Sequence, residues 1–199
     1  MKHLPKCYSN QEREYIIRRL KEEAADCMGQ FGIRRTTVDE LVKRVNIPKG
    51  TFYLFYKSKE LLLFDVIQEQ HELINQKLLQ AISEADNQSF SAEKLSDMIF
   101  EFYKMTEEMP IFRLMNSEEV ELLVRKLPRE VVEAHLQDDT DTIQKMFDLF
   151  PVKKGADVKV MSAAFHAIYY ATLHKKEIGE EEYDQALRML IYGVVTQIV

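Results

Sequence analysis

Glycine and proline are scarce in this chain, at 6 and 5 of 199 residues. An all-β protein needs many turns, and this scarcity argues against one. Cysteine is scarcer still, with Cys7 and Cys27 alone. Neither has metal-ligand spacing, and a structural disulfide is not expected in an intracellular chain. Cys27 falls on the apolar face of a helix and reads as a small core residue. Cys7 lies in a polar tail. No apolar run reaches the roughly 20 residues needed to cross a bilayer. The start, MKHLPKCYSNQERE, lacks the apolar centre of a signal peptide. A cytoplasmic location is expected. The chain also has no phosphate-binding glycine loop, no nucleophile elbow and no zinc signature. An enzyme is therefore not expected, nor any cofactor or metal. The histidines are His3, His71, His135, His166 and His174. No two sit at tight ligand spacing in one helix, so a metal site would have to be assembled across helices.

What the chain does have is apolar residues, 46% of the total, enough for a sizeable core. It also has a charge asymmetry. Residues 1–60 carry 13 Lys and Arg against 8 Asp and Glu, a net +5; residues 61–199 carry 14 against 25, a net −11. A basic first part on an acidic body suggests that one end meets a polyanion.

Helical periodicity runs along the whole chain. Asn10 is a candidate N-cap, followed by a stripe of Ile16, Leu20, Ala24, Cys27, Met28 and Phe31 at steps of three and four. Gly32 is placed to end that helix. Thr36 is a candidate cap for a short helix with Val38, Leu41, Val42 and Val45 inward. Asn46-Ile47-Pro48 reads as a tight turn, with Pro48 suited to the first position of the next helix. That helix is short, from Lys49 to Tyr56. Ser58 caps a long helix to about Ala85, with Leu63, Ile67, His71, Ile74, Leu78 and Ile82 in its stripe. Ser91, Ser117 and Pro128 open further helices. Two more are expected over 157–175 and 181–198. The expected fold is all-α.

Two short helices joined by a tight turn have the geometry of a DNA-reading helix-turn-helix. The second helix presents its N-terminal residues to the major groove. Lys49, Gly50, Thr51 and Tyr53 suit that role, while Phe52 and Tyr56 suit the buried side. Arg34, Thr36 and Thr37 flank the start of the first helix, where free backbone donors suit a phosphate. Lys43 and Arg44 fit either a DNA patch or a solvated helix face. Lys2, His3 and Lys6 fit either a groove-entering arm or a disordered tail.

The stretch Phe31-Gly32-Ile33-Arg34-Arg35-Thr36-Thr37-Val38-Asp39-Glu40-Leu41 resembles the start of the helix-turn-helix in the TetR family of transcription regulators. Lys49-Gly50-Thr51-Phe52-Tyr53-Leu54-Phe55-Tyr56-Lys57-Ser58-Lys59-Glu60-Leu61-Leu62 resembles that family's recognition helix and the capped start of its connecting helix. The resemblance covers roughly residues 10–65. It implies a three-helix DNA-binding domain over 1–57, with its motif at about 36–55. It further implies a helical ligand-sensing and dimerisation domain over 58–199. A homodimer on a palindromic double-stranded operator, repressing until a small molecule releases it, follows from the same resemblance. Residue by residue, Thr36 and Thr37 match positions that touch phosphates or cap the first helix. Lys49, Gly50 and Thr51 match the groove-facing start of the recognition helix. Tyr53 and Lys59 match phosphate-binding positions. Phe55 departs from the pattern, since the family often has histidine or tyrosine there. Without a donor, it is expected to pack or to touch a thymine methyl.

The C-terminal two thirds carry no such signature. Met98, Phe102, Met105, Met109, Phe112 and Met115 form a run of large, adaptable side chains. With Phe165 and Tyr169 they are candidates for an apolar or aromatic ligand pocket; an ordinary helical core is the other reading. His166 with Tyr169 and Tyr170 reads as a core cluster. The acidic clusters at 118–121 and 180–182 read as helix starts in solvent. The last two helices are apolar nearly all round and need cover on both sides. Ala163, Ala167, Tyr170, Met189 and Gly193 are therefore candidates for a dimer interface. One rival keeps DNA binding but replaces the small molecule with a protein partner. A second, an enzyme with an all-helical site, lacks a catalytic constellation.

Overall fold

The computed structural model describes residues 8–84, 91–109, 117–149 and 152–199. Among the described residues it contains helices and no strand. They are α1 (Asn10–Arg35), α2 (Val38–Val45), α3 (Lys49–Phe55), α4 (Lys59–Glu84) and α5 (Ala92–Glu108). These are followed by α6 (Ser117–Val124), α7 (Arg129–Phe147), α8 (Val158–Thr172), α9 (Lys175–Ile178) and α10 (Tyr183–Val195). Among the described residues no helix is long and apolar enough to cross a membrane.

The α1 cap lies one residue earlier than expected. Ser9 Oγ accepts from the Glu12 amide at 3.3 Å, and Glu12 Oε2 accepts from the Ser9 amide at 2.8 Å. Asn10 lacks a Glu or Gln three residues on, so it cannot form this reciprocal box. At the other end Gly32 breaks the helix, with φ 77° and ψ 174°. The cap of α2 is likewise shifted, from Thr36 to Thr37, whose Oγ1 accepts from the Glu40 amide at 3.2 Å. Thr36 is fully buried. Its hydroxyl donates to the Gly32 carbonyl at 2.8 Å, which also accepts from the Thr36 amide at 3.3 Å, so one residue closes the end of the helix with both its donors. Asn46 ends α2 in the left-handed region at φ 58°, which Asn tolerates better than other residues with a side chain. Ser91 caps α5 through the Lys94 amide, as the sequence indicates.

Two apolar cores result. The first packs α1, α2 and α3 around Leu20, Cys27, Leu41 and Phe52, all fully buried. Leu62, Leu63 and Val66 from α4 belong to it, and so do Leu123 and Leu127 around the end of α6. The second gathers Ile82 of α4 with Leu95 and Ile99 of α5, Met146 of α7, Phe165 of α8 and Ile191 of α10. Helix α4 thus runs from one core into the other. Truncating a fully buried leucine such as Leu63 to alanine costs about 2–5 kcal/mol. Cys27 is a core residue, and burial pushes its thiol pKa up.

Candidate nucleic-acid interface and ligand cavity

Pro48 caps α3 and Lys49 begins it. Lys49, Gly50, Tyr53 and Leu54 are exposed on one side, with Arg34, Arg35 and Thr37 at the start of α2. Lys49 Nζ lies 2.8 Å from Asp39 Oδ1 and 3.0 Å from Oδ2. Reaching a base therefore requires exchanging a carboxylate for the base edge. Gly50 has open space around the position a Cβ would take.

The other candidate contacts face inward. Thr51 is buried and its hydroxyl lies 3.1 Å from that of Tyr8. Phe55 is half-buried against the Tyr8 ring, with the Arg13 guanidinium 5.1 Å from its centroid. Lys59 Nζ donates to the Ile33 carbonyl at 2.8 Å and to the Thr36 carbonyl at 2.6 Å. Burial lowers its pKa. Thr36 and Lys59 thus hold the α1–α2 junction together. Tyr56 donates to Asp65 Oδ2 at 2.7 Å and packs near Phe52. Arg44 pairs with Glu40 and Glu23 and lies 5.8 Å from the Phe31 ring centroid, whereas Lys43 is exposed. Lys2, His3 and Lys6 lie outside the described residues.

The junction has one further holder that the sequence did not reveal. Glu119 of α6 was expected in solvent. Instead its Oε2 accepts from the Ile33 amide at 2.5 Å and the Arg34 amide at 3.3 Å. The break at Gly32 frees those amides, and a carboxylate is the natural acceptor for such a pair.

Between α4, α5, α6, α7 and α8 lies a mainly apolar cavity of about 320 Å³. Of the residues expected to line a pocket, Phe102, Phe165 and Tyr169 do so. Met98 packs on the second core, Met105 is exposed, and Met109 packs against the first core. These three methionines do not line the cavity, because the inward face of α5 runs through Ile99, Phe102, Tyr103 and Thr106. Phe112 and Met115 lie outside the described residues.

The cavity has a polar corner that sequence reasoning missed. His71 of α4, His135 and Asp139 of α7, and His166 of α8 converge there. Asp139 Oδ1 is 3.5 Å from His71 Nδ1; its Oδ2 is 3.7 Å from His135 Nε2 and 2.5 Å from His166 Nε2. His71 and His135 stack edge to face at 5.4 Å. Burial lowers the His71 pKa, although Asp139 pulls it the other way. Burial alone would raise that of Asp139, but the His166 hydrogen bond and the surrounding imidazoles bring it below the ordinary carboxylate value. Burial also pushes Tyr169 up to about 12, so it stays a neutral phenol. The available signal was His135-x-x-x-Asp139, one helical turn apart on one face.

Ala163, Ala167 and Tyr170 of α8 and Met189 and Gly193 of α10 are all exposed. Val160 at 57%, Met189 at 70% and Leu190 at 50% are large apolar side chains exposed on the same two helices.

Residues 20–66 match the family described as bacterial regulatory proteins, tetR family. This span holds the break at Gly32, α2, the turn, α3 and the start of α4. Over this span the chain is similar to the DNA-binding unit of the tetR family of bacterial regulatory proteins. It is 19% identical over 182 residues to the fatty acid metabolism regulator protein of Bacillus subtilis (strain 168), covering 87% of this chain and 92% of the relative. Two solved structures share the fold along nearly the whole length. RolR in complex with resorcinol superposes with a TM-score of 0.63 at 19% identity, covering 93% of this chain and 89% of RolR. SmeT, the repressor of the Stenotrophomonas maltophilia multidrug efflux pump SmeDEF, gives 0.60 at 19% identity, covering 92% and 90%.

Proposed function

We propose that the protein is a homodimeric repressor, released from a palindromic operator by a small, mainly apolar ligand held in the cavity between α4 and α8. One observation carries this reading. Helix α6 gives Val120, Leu123 and Val124 to the cavity wall, and its Glu119 grips the Ile33 and Arg34 amides at the start of the DNA-reading unit. A ligand that moves α6 or α4 therefore moves the recognition helix. It shifts DNA affinity only by its preference for one arrangement over the other.

The cavity volume is near the lower end for ligand sites. That favours a compact molecule, such as a substituted ring, over a long chain. RolR was solved with such a ring compound, resorcinol. SmeT supports the sign of regulation, being a repressor.

Within the DNA-reading unit, Lys49 reads a base, Tyr53 and Thr37 meet phosphates, and Arg34 lies beside them. The apolar surface of α8 and α10 is the dimer contact. Two recognition helices then reach half-sites spaced by about one DNA turn, roughly 34–36 Å.

The test is in vitro selection of bound DNA, followed by fluorescence anisotropy on the selected site while compact ring compounds are added. Release by a compound that also raises the melting temperature supports the reading. A compound that stabilises strongly yet leaves DNA affinity unchanged defeats it.

A further inference from the structure

We propose that His71, His135 and Asp139 form a binding site for a divalent first-row transition cation, with His166 orienting the Asp139 carboxylate. Nothing in the DNA-reading unit requires this cluster, and an apolar ligand cavity does not need an ionised carboxylate among imidazoles. Burying such a group costs free energy unless something compensates it.

The donor set is two imidazoles and one carboxylate. Their ligating atoms all lie within 4.8 Å of one another. Metal–nitrogen and metal–oxygen bonds near 2.0–2.2 Å place tetrahedral donors roughly 3.3–3.5 Å apart. Asp139 lies 3.5 Å from His71 and 3.7 Å from His135, close to such an edge before any ion draws the groups in. Imidazole and carboxylate together suit zinc, iron, cobalt or nickel better than magnesium or calcium, which prefer all-oxygen shells. His166, 2.5 Å from Asp139 Oδ2, takes the place of the outer hydrogen-bond partner that fixes a ligating carboxylate.

The site also has a way in. A second cleft of about 490 Å³ lies between α4 and α7 and is lined by the same three residues. Glu69, Glu72 and Asp138 line it. An acidic approach draws a cation toward the cluster. Because His71 sits on α4 and its co-ligands on α7, a bound ion would tie the helix entering the first core to the bundle.

The experiment uses full-length protein without an affinity tag, stripped with chelator and dialysed. Zinc chloride is titrated in by calorimetry, and cobalt chloride is followed by its visible absorption. The expected result is saturable binding of one ion per chain, with the cobalt band showing nitrogen and oxygen ligation. His135→Gln and Asp139→Asn should abolish the saturable phase. His166→Gln should weaken it by about 10–100-fold. Circular dichroism checks each variant. If Asp139→Asn fails to fold, the partly exposed His71→Gln decides in its place. Absence of stoichiometric binding in the wild type overturns the proposal. So does binding that survives unchanged in His71→Gln and His135→Gln. Neither readout contains DNA or an organic ligand, so their outcome is independent of the repressor reading.

Discussion

Glu119→Gln tests the link between cavity and DNA reader. The carboxylate takes two backbone donors, at 2.5 Å from Ile33 and 3.3 Å from Arg34. A hydrogen bond to a charged group contributes about 1.5–3 kcal/mol, against about 1 kcal/mol for a neutral one. Ile33 is 1% exposed, so water cannot easily replace the lost acceptor at its amide. The glutamine variant keeps the shape and one carbonyl acceptor while losing the charge. It should cost about 1–2 kcal/mol. Glu119→Ala leaves the buried Ile33 amide unsatisfied and turns the exposed Arg34 amide over to water, and should cost about 2–4 kcal/mol. At roughly 2–4 °C per kcal/mol for a chain of this size, the alanine variant should melt about 4–16 °C lower. The functional readout is the ratio of operator affinities with and without ligand. That ratio should move toward one in both variants, while ligand affinity measured without DNA stays within about threefold. A Glu119→Ala protein that melts within 1 °C of wild type and keeps its full ligand response would refute the reasoning.

Four further outcomes are expected. Lys49→Ala should relax preference at one base pair per half-site, at a cost of roughly 1–3 kcal/mol, as read by selection; an unchanged motif removes it from base reading. Lys59→Ala should lower stability by about 1.5–3 kcal/mol through its two carbonyl partners, leaving the salt dependence of DNA binding unchanged; a slope lower by roughly one unit means that the ammonium also meets a phosphate. Gly193→Arg meets no atom within 4 Å of its new Cβ, so the single chain should fold normally, as circular dichroism will show. Sedimentation should nevertheless find it monomeric with weak, non-specific DNA binding; a variant that stays dimeric puts the interface elsewhere. A ring compound present at 100 times its dissociation constant should add about 2.7 kcal/mol to wild-type stability. Phe165→Trp, which fills the cavity, should remove most of that gain in thermal melts; an unchanged gain places the ligand outside the cavity.

The DNA-reading unit was legible because groove geometry demands particular residues at fixed steps. Gly32, Asn46 and Pro48 each mark a chain reversal, and Leu41 and Phe52 hold α2 and α3 together. Which threonine caps and which is buried was not legible, because Thr36 and Thr37 are both good caps. The choice depends on the Gly32 carbonyl that only the folded kink exposes. The run from Met98 to Met115 offers pocket candidates by residue type alone, yet a helix divides it: Phe102 faces the cavity while Met105 faces out. The histidine cluster was hidden for a different reason. Its members come from positions 71, 135, 139 and 166, and no local period links residues that far apart. Glu119 escaped for the same reason, meeting amides 85 and 86 residues away.

Leu123 and Leu127 belong to the first core, whose other buried members end at Val66. Synthesis delivers these parts at different times. At about 5–20 residues per second, roughly 3–12 s separate the emergence of Val66 from that of Leu127. During that interval the nascent DNA reader lacks its last two leucines and the carboxylate that holds its junction. It should therefore gain full affinity for DNA only after the ribosome has passed the codon for Leu127.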